Sequence, residues 1–249
     1  MTIKSLISRF IVNSYRNGNL LFSLRKFPHF YSQFKKYKSQ SGENVDLKFI
    51  NPQLTDATRE TPFDSHYFYQ SAWCARKIAQ QKPLRHKDIA SQINLIGPLS
   101  AFVETEFIDY RPFNANLKNL ELRKGTILNL PYDDKSVESL SCLHVIEHIG
   151  LGRYGDEIDS KGSIKACKEL QRVIAVNGNL YLSTPLGKER VEFNAHRVHS
   201  SETILRLFDE LTLVDFSSVN DKGNFKEKSD PSDCDNFQYG LGMFHFRRL

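Results

Sequence analysis

Nothing in this chain is apolar for long. No hydrophobic run in its 249 residues approaches the ~18 that a membrane span requires, so no spanning helix is expected. The N-terminus lacks the unbroken apolar core and small-residue cleavage site of a secretory signal. Cysteine is scarce: four stand at positions 74, 142, 167 and 234, none in Cys-x-x-Cys spacing and none beside a histidine pair of zinc-finger type. That excludes a disulfide scaffold and predicts buried, reduced thiols in a cytoplasmic protein. Acidic residues are missing altogether from residues 1–38, which hold eight Lys or Arg. The net charge of +5 less these eight leaves −3 for the remainder. A mildly acidic body argues against a nucleic-acid groove across it.

What is present suffices for a sizeable core, with 40% hydrophobic and 12% aromatic residues. The organisation expected is a basic amphipathic extension and linker over residues 1–60 and one α/β domain over 61–249. In the extension, Ile3, Leu6, Ile7, Phe10 and Ile11 share one helical face, and Asn17-Gly18 breaks it. Leu20, Leu24, Phe27, Tyr31 and Phe34 resume the helical spacing, interrupted by Pro28. Such a segment packs on protein or lies on an anionic membrane surface, each nearby basic residue adding roughly 1 kcal/mol to the latter. Peripheral contact at the inner membrane face through residues 1–38 is therefore carried as an expectation. Residues 39–60 are polar and read as a linker.

The rest alternates strands with helices. An aromatic helix spans Asp64–Ala79, capped by Asp64 or Ser65, its aromatics explained by packing. Glu106 to Asp109 reads as a strand with an acid at its C-terminal end, where a carboxylate can accept both hydroxyls of a ribose. Leu120–Ile127 is a further strand, and Glu138–Leu143 another. His144-Val-Ile-Glu147-His148 then opens a helix. Helix Ile164–Val176, the turn Asn177-Gly178 and strand Leu180–Pro185 follow. Ser200 or Ser201 caps Glu202–Phe208, Leu211–Phe216 is a strand, and Phe237–Arg248 is the last, antiparallel one. Asn220–Asn236 reads as a polar, mobile loop.

From about His66 to Leu249 this order resembles the class I S-adenosylmethionine-dependent methyltransferases, and within them a branch known as a domain of unknown function. The Leu130-Pro131-Tyr132 turn, the His-x-x-Glu-His segment after the fourth strand, and Glu169, Leu170, Arg172 and Val173 before Asn177-Gly178 carry the likeness. The resemblance implies a Rossmann-like three-layer sandwich with a seven-stranded, mostly parallel sheet and an antiparallel last strand. It implies S-adenosylmethionine as cofactor and methyl transfer to a small-molecule or glycan acceptor. The alternative is a methyltransferase-like binding or partner module without catalysis. Asp88 stands where the family's first strand meets its glycine loop, but Ala90, Gln92 and Asn94 replace all three glycines. The cofactor-binding residues so implied are Asp88, Ala90, Asp109, Thr126, Ile127 and His144. Thr126 occupies the place of an acid that accepts the adenine amino group, and Ile127 faces the ring or belongs to the core.

His148 and His196 are the candidate catalytic residues, each able to take a proton from an acceptor hydroxyl. Arg197 beside His196 suits an anionic or sugar acceptor. The loop Gly150–Gly162, with Arg153, Tyr154, Asp156, Glu157 and Asp159, is expected to shape the acceptor mouth. His-x-x-Glu-His also matches a zinc pattern. A metalloprotease needs it inside a longer helix with a third ligand downstream, whereas here Gly150 and Gly152 close the segment, so no metal is assigned.

Overall fold

The computed structural model describes residues 20–46 and 49–249, and side chains from residue 25 onward within the first helix. The apolar face drawn through Ile3 to Ile11 lies outside the described residues, as do the side chains of Leu20 and Leu24. The chain divides into two compact units, Met1–Phe63 and Asp64–Leu249. In the first, helix α1 runs Leu20–Ser41 straight through Pro28, which corrects the expected interruption. A single proline removes one backbone hydrogen bond and can be carried as a kink rather than a stop. No side chain of α1 from Arg25 to Ser41 is fully buried. No helix among the described residues is long and apolar enough to cross a membrane.

The second unit is a three-layer α/β sandwich. Its strands are β1 Arg85–Ile89, β2 Glu104–Asp109, β3 Leu120–Lys124, β4 Val137–Leu143 and β5 Ile174–Leu186, then β6 Arg190–Glu192, β7 His196–Val198, β8 Thr212–Val219, β9 Phe225–Lys226 and β10 Gly240–Arg247. Eight of them form one sheet in the order β3-β2-β1-β4-β5-β10-β8-β9, and β6 and β7 form a separate hairpin. The pairs from β3 across to β5 are parallel, and β10 is antiparallel to both β5 and β8. The expected architecture is present, with one strand more than seven: β9 pairs with β8 inside the segment expected to be a bare loop. That segment also carries a 3₁₀ turn, Pro231–Asn236, and buries Ser229 and Cys234.

Helices α2 Ser65–Gln81 and α3 Ile93–Leu99 are packed with residues of one sheet face, and α4 Gly162–Val173 and α5 Ser201–Leu207 with those of the other. On the first side Trp73, Cys74 and Ile78 of α2, spaced to share a helical face, cluster with Leu99, Tyr181 and Met243. On the second, Cys167 and Leu170 cluster with Leu140, Leu182 and Phe244. Fully burying such a side chain contributes about 1.5–3 kcal/mol. All four cysteines are buried and unpaired.

The polar start of β1 is accommodated by partners, with Arg85 at the exposed end of the strand. Arg85 makes a two-pronged bond to Glu104, and Lys87 pairs with Glu106. His86, fully buried, lies between Ser139 Oγ and Ser141 Oγ of β4, 2.8 Å from each. The third strand stops at Lys124, short of the expected Ile127, because the chain leaves the sheet at Gly125, whose N–H still donates to Asp109 O. A Cβ at Gly125 would meet Ile108 Cγ2 at 2.6 Å. Helix α4 ends at Val173, three residues early, and Asn177 (φ +64°) turns inside β5, where the β4–β5 register shifts. Glu169 and Arg172 hold the Leu130–Tyr132 turn: Glu169 accepts from Leu130 N–H, and Arg172 donates to Glu169, Asp134 and Tyr132 O.

Candidate functional site

In an open α/β sheet the ligand crevice lies beyond the C-terminal ends of the strands, where strand order reverses. Here that point falls between β1 and β4, since β2 follows β1 on one side and β4 lies on the other. Ser91 closes the gap, its Oγ accepting from Leu143 N–H at 3.0 Å. Three groups of residues emerge there.

The first is the turn after β1. Asp88 is fully buried, accepting from Ser91 N–H (3.0 Å) and from Ser141 Oγ. Burial pushes its carboxyl up to about 6, against the pull of those hydrogen bonds. Ala90 takes the left-handed conformation at φ +54°, the conformation for which glycine is favoured. Gln92 is extended and Asn94 lies within α3, so the positive φ falls on Ala90 and not on Asn94.

The second lies at the ends of β2 and β3. Asp109 closes β2, half-buried, with Oδ1 accepting from Arg111 N–H at 2.7 Å and Oδ2 without a hydrogen bond among the described residues. Thr126 Oγ1 accepts from Leu128 N–H in a tight turn. Ile127 belongs to the core cluster.

The third follows β4. The His-x-x-Glu-His segment forms one 3₁₀ turn, Ile146–His148, rather than the start of an α-helix, because Gly150 at φ +80° redirects the chain. His144 itself sits at φ +58°, a rare conformation for a non-glycine residue and one that concentrates at functional sites. Glu147 is fully buried between the two histidines: Oε1 is 2.6 Å from His144 Nδ1 and 3.8 Å from His148 Nε2. Burial disfavours its charge, but electrostatic attraction to His144 and the hydrogen bond from it, together with His148, hold the carboxyl below its usual range. An ionised carboxylate only accepts, so His144 Nδ1 carries the hydrogen, and in the neutral ring Nε2 bears the lone pair. That Nε2 is buried and has no partner among the described residues. His148 Nδ1 donates to Ala195 O at 2.6 Å, and burial lowers its pKa despite Glu147.

Residues distant in sequence complete the cluster. The ring of His66 stacks on that of His144 at 5.6 Å and on that of Tyr239 at 5.4 Å, while Tyr67 lies 5.3 Å from His144. Burial lowers His66 to about 4. His196 Nε2 is 3.3 Å from Glu192 Oε2, and its ring is 4.8 Å from Tyr239 and 6.5 Å from His148. The structure thus brings the two candidate catalytic histidines together with His144 and adds His66, Tyr67 and Tyr239. The first turn of α2 reaches the cluster through His66 and Tyr67. Only the end-of-strand position of His144 hinted at this.

The loop after the cluster folds around Asp156, which accepts from Gly150, Gly152 and Tyr154 N–H. The Tyr154 ring lies between its neighbour Arg153 and Arg111, at 5.1 and 4.9 Å from the two guanidinium carbons, which joins this loop to the one after β2. Arg153 also donates to Ala195 O. Arg197, named with His196 as a candidate acceptor anchor, is buried and donates to Ile149 O and Glu147 O, so it braces the turn. No group of three or more His, Cys, Asp or Glu among the described residues is arranged to hold a metal. Two surface pockets lie elsewhere, one between Lys87, Glu106 and Glu121 and one between Lys77 and Asp215.

Comparison with known structures fits this geometry. A protein from Galdieria sulphuraria provisionally assigned as a sarcosine dimethylglycine methyltransferase superposes with a TM-score of 0.51 at 12% identity, covering 73% of this chain and 86% of its own. The fold is a methyltransferase fold. The [4+2]-cyclase SpnF superposes with a TM-score of 0.50 at 10% identity, covering 72% of this chain and 80% of its own. One fold therefore hosts different chemistries, and the methyltransferase fold alone does not name the reaction. A family described as Caenorhabditis protein of unknown function, DUF268, matches residues 123–237. No curated protein matches.

Proposed function

We propose that the protein is an S-adenosylmethionine-dependent methyltransferase acting on a small-molecule or glycan acceptor. The observation that carries this is the meeting at one switch point of a left-handed turn after β1, a half-free acid at the end of β2 and a histidine cluster at the end of β4. The residues present fit the cofactor. Ala90 provides the conformation usually given by glycine, with only a methyl group in the way. Asp109 offers Oδ2 to a ribose hydroxyl. Asp88 holds the turn from beneath rather than touching a ligand. Thr126 borders the same crevice, while Ile127 packs in the core.

When bound, the cofactor supplies a methyl group made electrophilic by a sulfonium. The chain's own task is then to orient the acceptor in line and keep water away. His148 is suited to receive a proton, because its Nδ1–H is fixed on Ala195 O and burial keeps the ring neutral. His196, beside Glu192 and Tyr239, lines the acceptor side.

The missing glycines favour a second reading, a binding module without catalysis. Incubating the full chain with methyl-labelled cofactor and a small-molecule and glycan extract separates the two. Label moved by the wild type and not by Asp109→Ala supports transfer. Cofactor bound with no label moved supports the module. The inner-membrane contact belongs to this proposal as well: α1 exposes Arg25, Lys35, Lys36 and Lys38. Co-sedimentation with vesicles containing phosphatidylserine, lost when the three lysines become glutamates, is the expected result; retention by the variant would contradict it.

A further inference from the structure

Among the buried polar atoms without a partner, two belong to one interacting pair: His144 Nε2 and Glu147 Oε2. The pair is held from all sides. His144 N–H donates to Ser183 O of β5, fixing the backbone at φ +58°. His66 and Tyr67 of α2 lie against the imidazole, and its Nε2 is buried beneath them. Glu147 is fully buried, and the adjacent backbone carbonyl is braced by Arg197. A histidine whose Nδ1–H is oriented by a buried carboxylate, with Nε2 left bare, has the arrangement of a general base.

Resting on the methyl-transfer reading, we infer that His144 is the proton acceptor, that Glu147 is its positioning residue, and that the atom methylated is a hydroxyl oxygen. A neutral amine can attack with its lone pair and lose its proton afterwards. A hydroxyl is a poor nucleophile until its proton leaves, and only that acceptor needs an oriented base. The acceptor O–H gives its proton to His144 Nε2. The acceptor oxygen takes the methyl group as the carbon–sulfur bond breaks and its electron pair stays on sulfur. The imidazolium formed is stabilised by Glu147 Oε1 at 2.6 Å, and its proton returns to solvent. This moves His144 from the cofactor side, where the family resemblance put it, to the reaction itself. His148 becomes its neighbour, sharing Glu147 at 3.8 Å. The groups facing His144 are Glu147 and His148 on its own turn and His66 and Tyr67 from α2.

The test has one arm free of catalysis. Long-range ¹⁵N–¹H NMR of the labelled full chain, with His144→Gln to assign the ring, reads the tautomer directly. The inference requires Nδ1 protonated and Nε2 bare at neutral pH in the wild type, and a loss of that preference in Glu147→Gln. A ring protonated at Nε2 overturns it, whether or not cofactor binds. The second arm offers phenol and aniline as probe acceptors with labelled cofactor. Transfer to phenol in preference to aniline is expected. His144→Gln should lower kcat about 10²–10³-fold with S-adenosylhomocysteine affinity unchanged. Glu147→Gln should shift the acidic limb of the kcat–pH profile, with partial recovery in Glu147→Asp. Equal rates in His144→Gln and wild type, preference for aniline, or activity that requires an added divalent metal would each overturn the inference. Failure of S-adenosylhomocysteine to bind wild type would instead remove the methyl-transfer reading, with the NMR result still deciding the tautomer.

Discussion

Replacing Asp88 by asparagine should stabilise this protein and reverse a chain of hydrogen bonds in its core. Asp88, as a carboxylate, can only accept, so the bond with Ser141 is donated by the serine hydroxyl. Ser141 Oγ must then accept from His86 Nε2–H, and His86 Nδ1 must accept from Ser139 Oγ–H. Every donor points toward Asp88. Burial pushes that carboxyl from 3.8 up to about 6. Because the folded form holds the proton more tightly, it binds more protons than the unfolded chain between those values, and stability falls as pH rises through about 4 to 6. The rise from 3.8 to about 6 corresponds to roughly 3 kcal/mol lost above pH 6. The asparagine side chain carries no charge, and its Nδ2–H can donate to Ser141, which then donates to His86 Nε2 while His86 Nδ1–H donates to Ser139. Hydrogen bonds are preserved with the direction inverted, so a gain of up to ~3 kcal/mol at pH 7 is expected in Asp88→Asn, about 1 M or more in urea midpoint. The single tryptophan, Trp73, is buried in this unit and reports its unfolding by fluorescence. The wild type should lose stability from pH 4 to 6 and the variant should not, and NMR should find His86 switched from the Nε2–H to the Nδ1–H form. A variant less stable than wild type at pH 7, with the pH slope unchanged, would refute this account of the core.

Other substitutions probe the supports of the site. Arg172→Lys cannot reproduce the fork that grips Glu169 while also reaching Asp134 and Tyr132 O, and should cost about 1–3 kcal/mol in urea unfolding; an unchanged midpoint would contradict the bracing role. Gly150→Ala places a Cβ 2.1 Å from Asp159 O at φ +80°, and should lower Tm by roughly 5–10 °C for a loss of about 2–4 kcal/mol. A melting temperature equal to wild type would mean that the loop has room to move. His66→Phe keeps a flat ring against His144 and removes a group already neutral above pH 6, so cofactor affinity should vary with pH from 6 to 8 as it does in wild type; a wild-type pH dependence that the variant loses, measured by calorimetry, would contradict the neutral state assigned to His66.

The alternation of strand and helix and the Ser200 cap were legible because each rests on local spacing, whereas the antiparallel last strand followed from the family resemblance and the grip of Glu169 and Arg172 on the Leu130–Tyr132 turn, about 40 residues away, did not show in the sequence. Ser200 Oγ accepts from Thr203 N–H as a cap should. The accommodation of the polar strand β1 was not legible, because it depends on two serines of β4 that lie 53 and 55 residues away in sequence. Strand ends were misjudged where a glycine or a left-handed residue redirects the chain, as at Gly125 and Asn177. The site was half visible. His144, Glu147 and His148 stood together in sequence, and Asp109 stood at a strand end. His66 and Tyr239 had no local signal, because only the docking of α2 and the return of β10 bring them within ring contact. Ala90 looked like a defect in a glycine loop, yet its backbone takes the glycine conformation.

Whether this cleft binds the cofactor despite its altered turn decides the rest. Thermal unfolding of the full chain with S-adenosylhomocysteine, in wild type and Asp109→Ala, tests it most directly. Ligand at about 100 times its dissociation constant should add roughly 2.7 kcal/mol, or about 5–10 °C for a domain of this size. That shift is expected in the wild type and its loss in Asp109→Ala; equal melting temperatures with and without millimolar ligand in the wild type would contradict cofactor binding at this cleft.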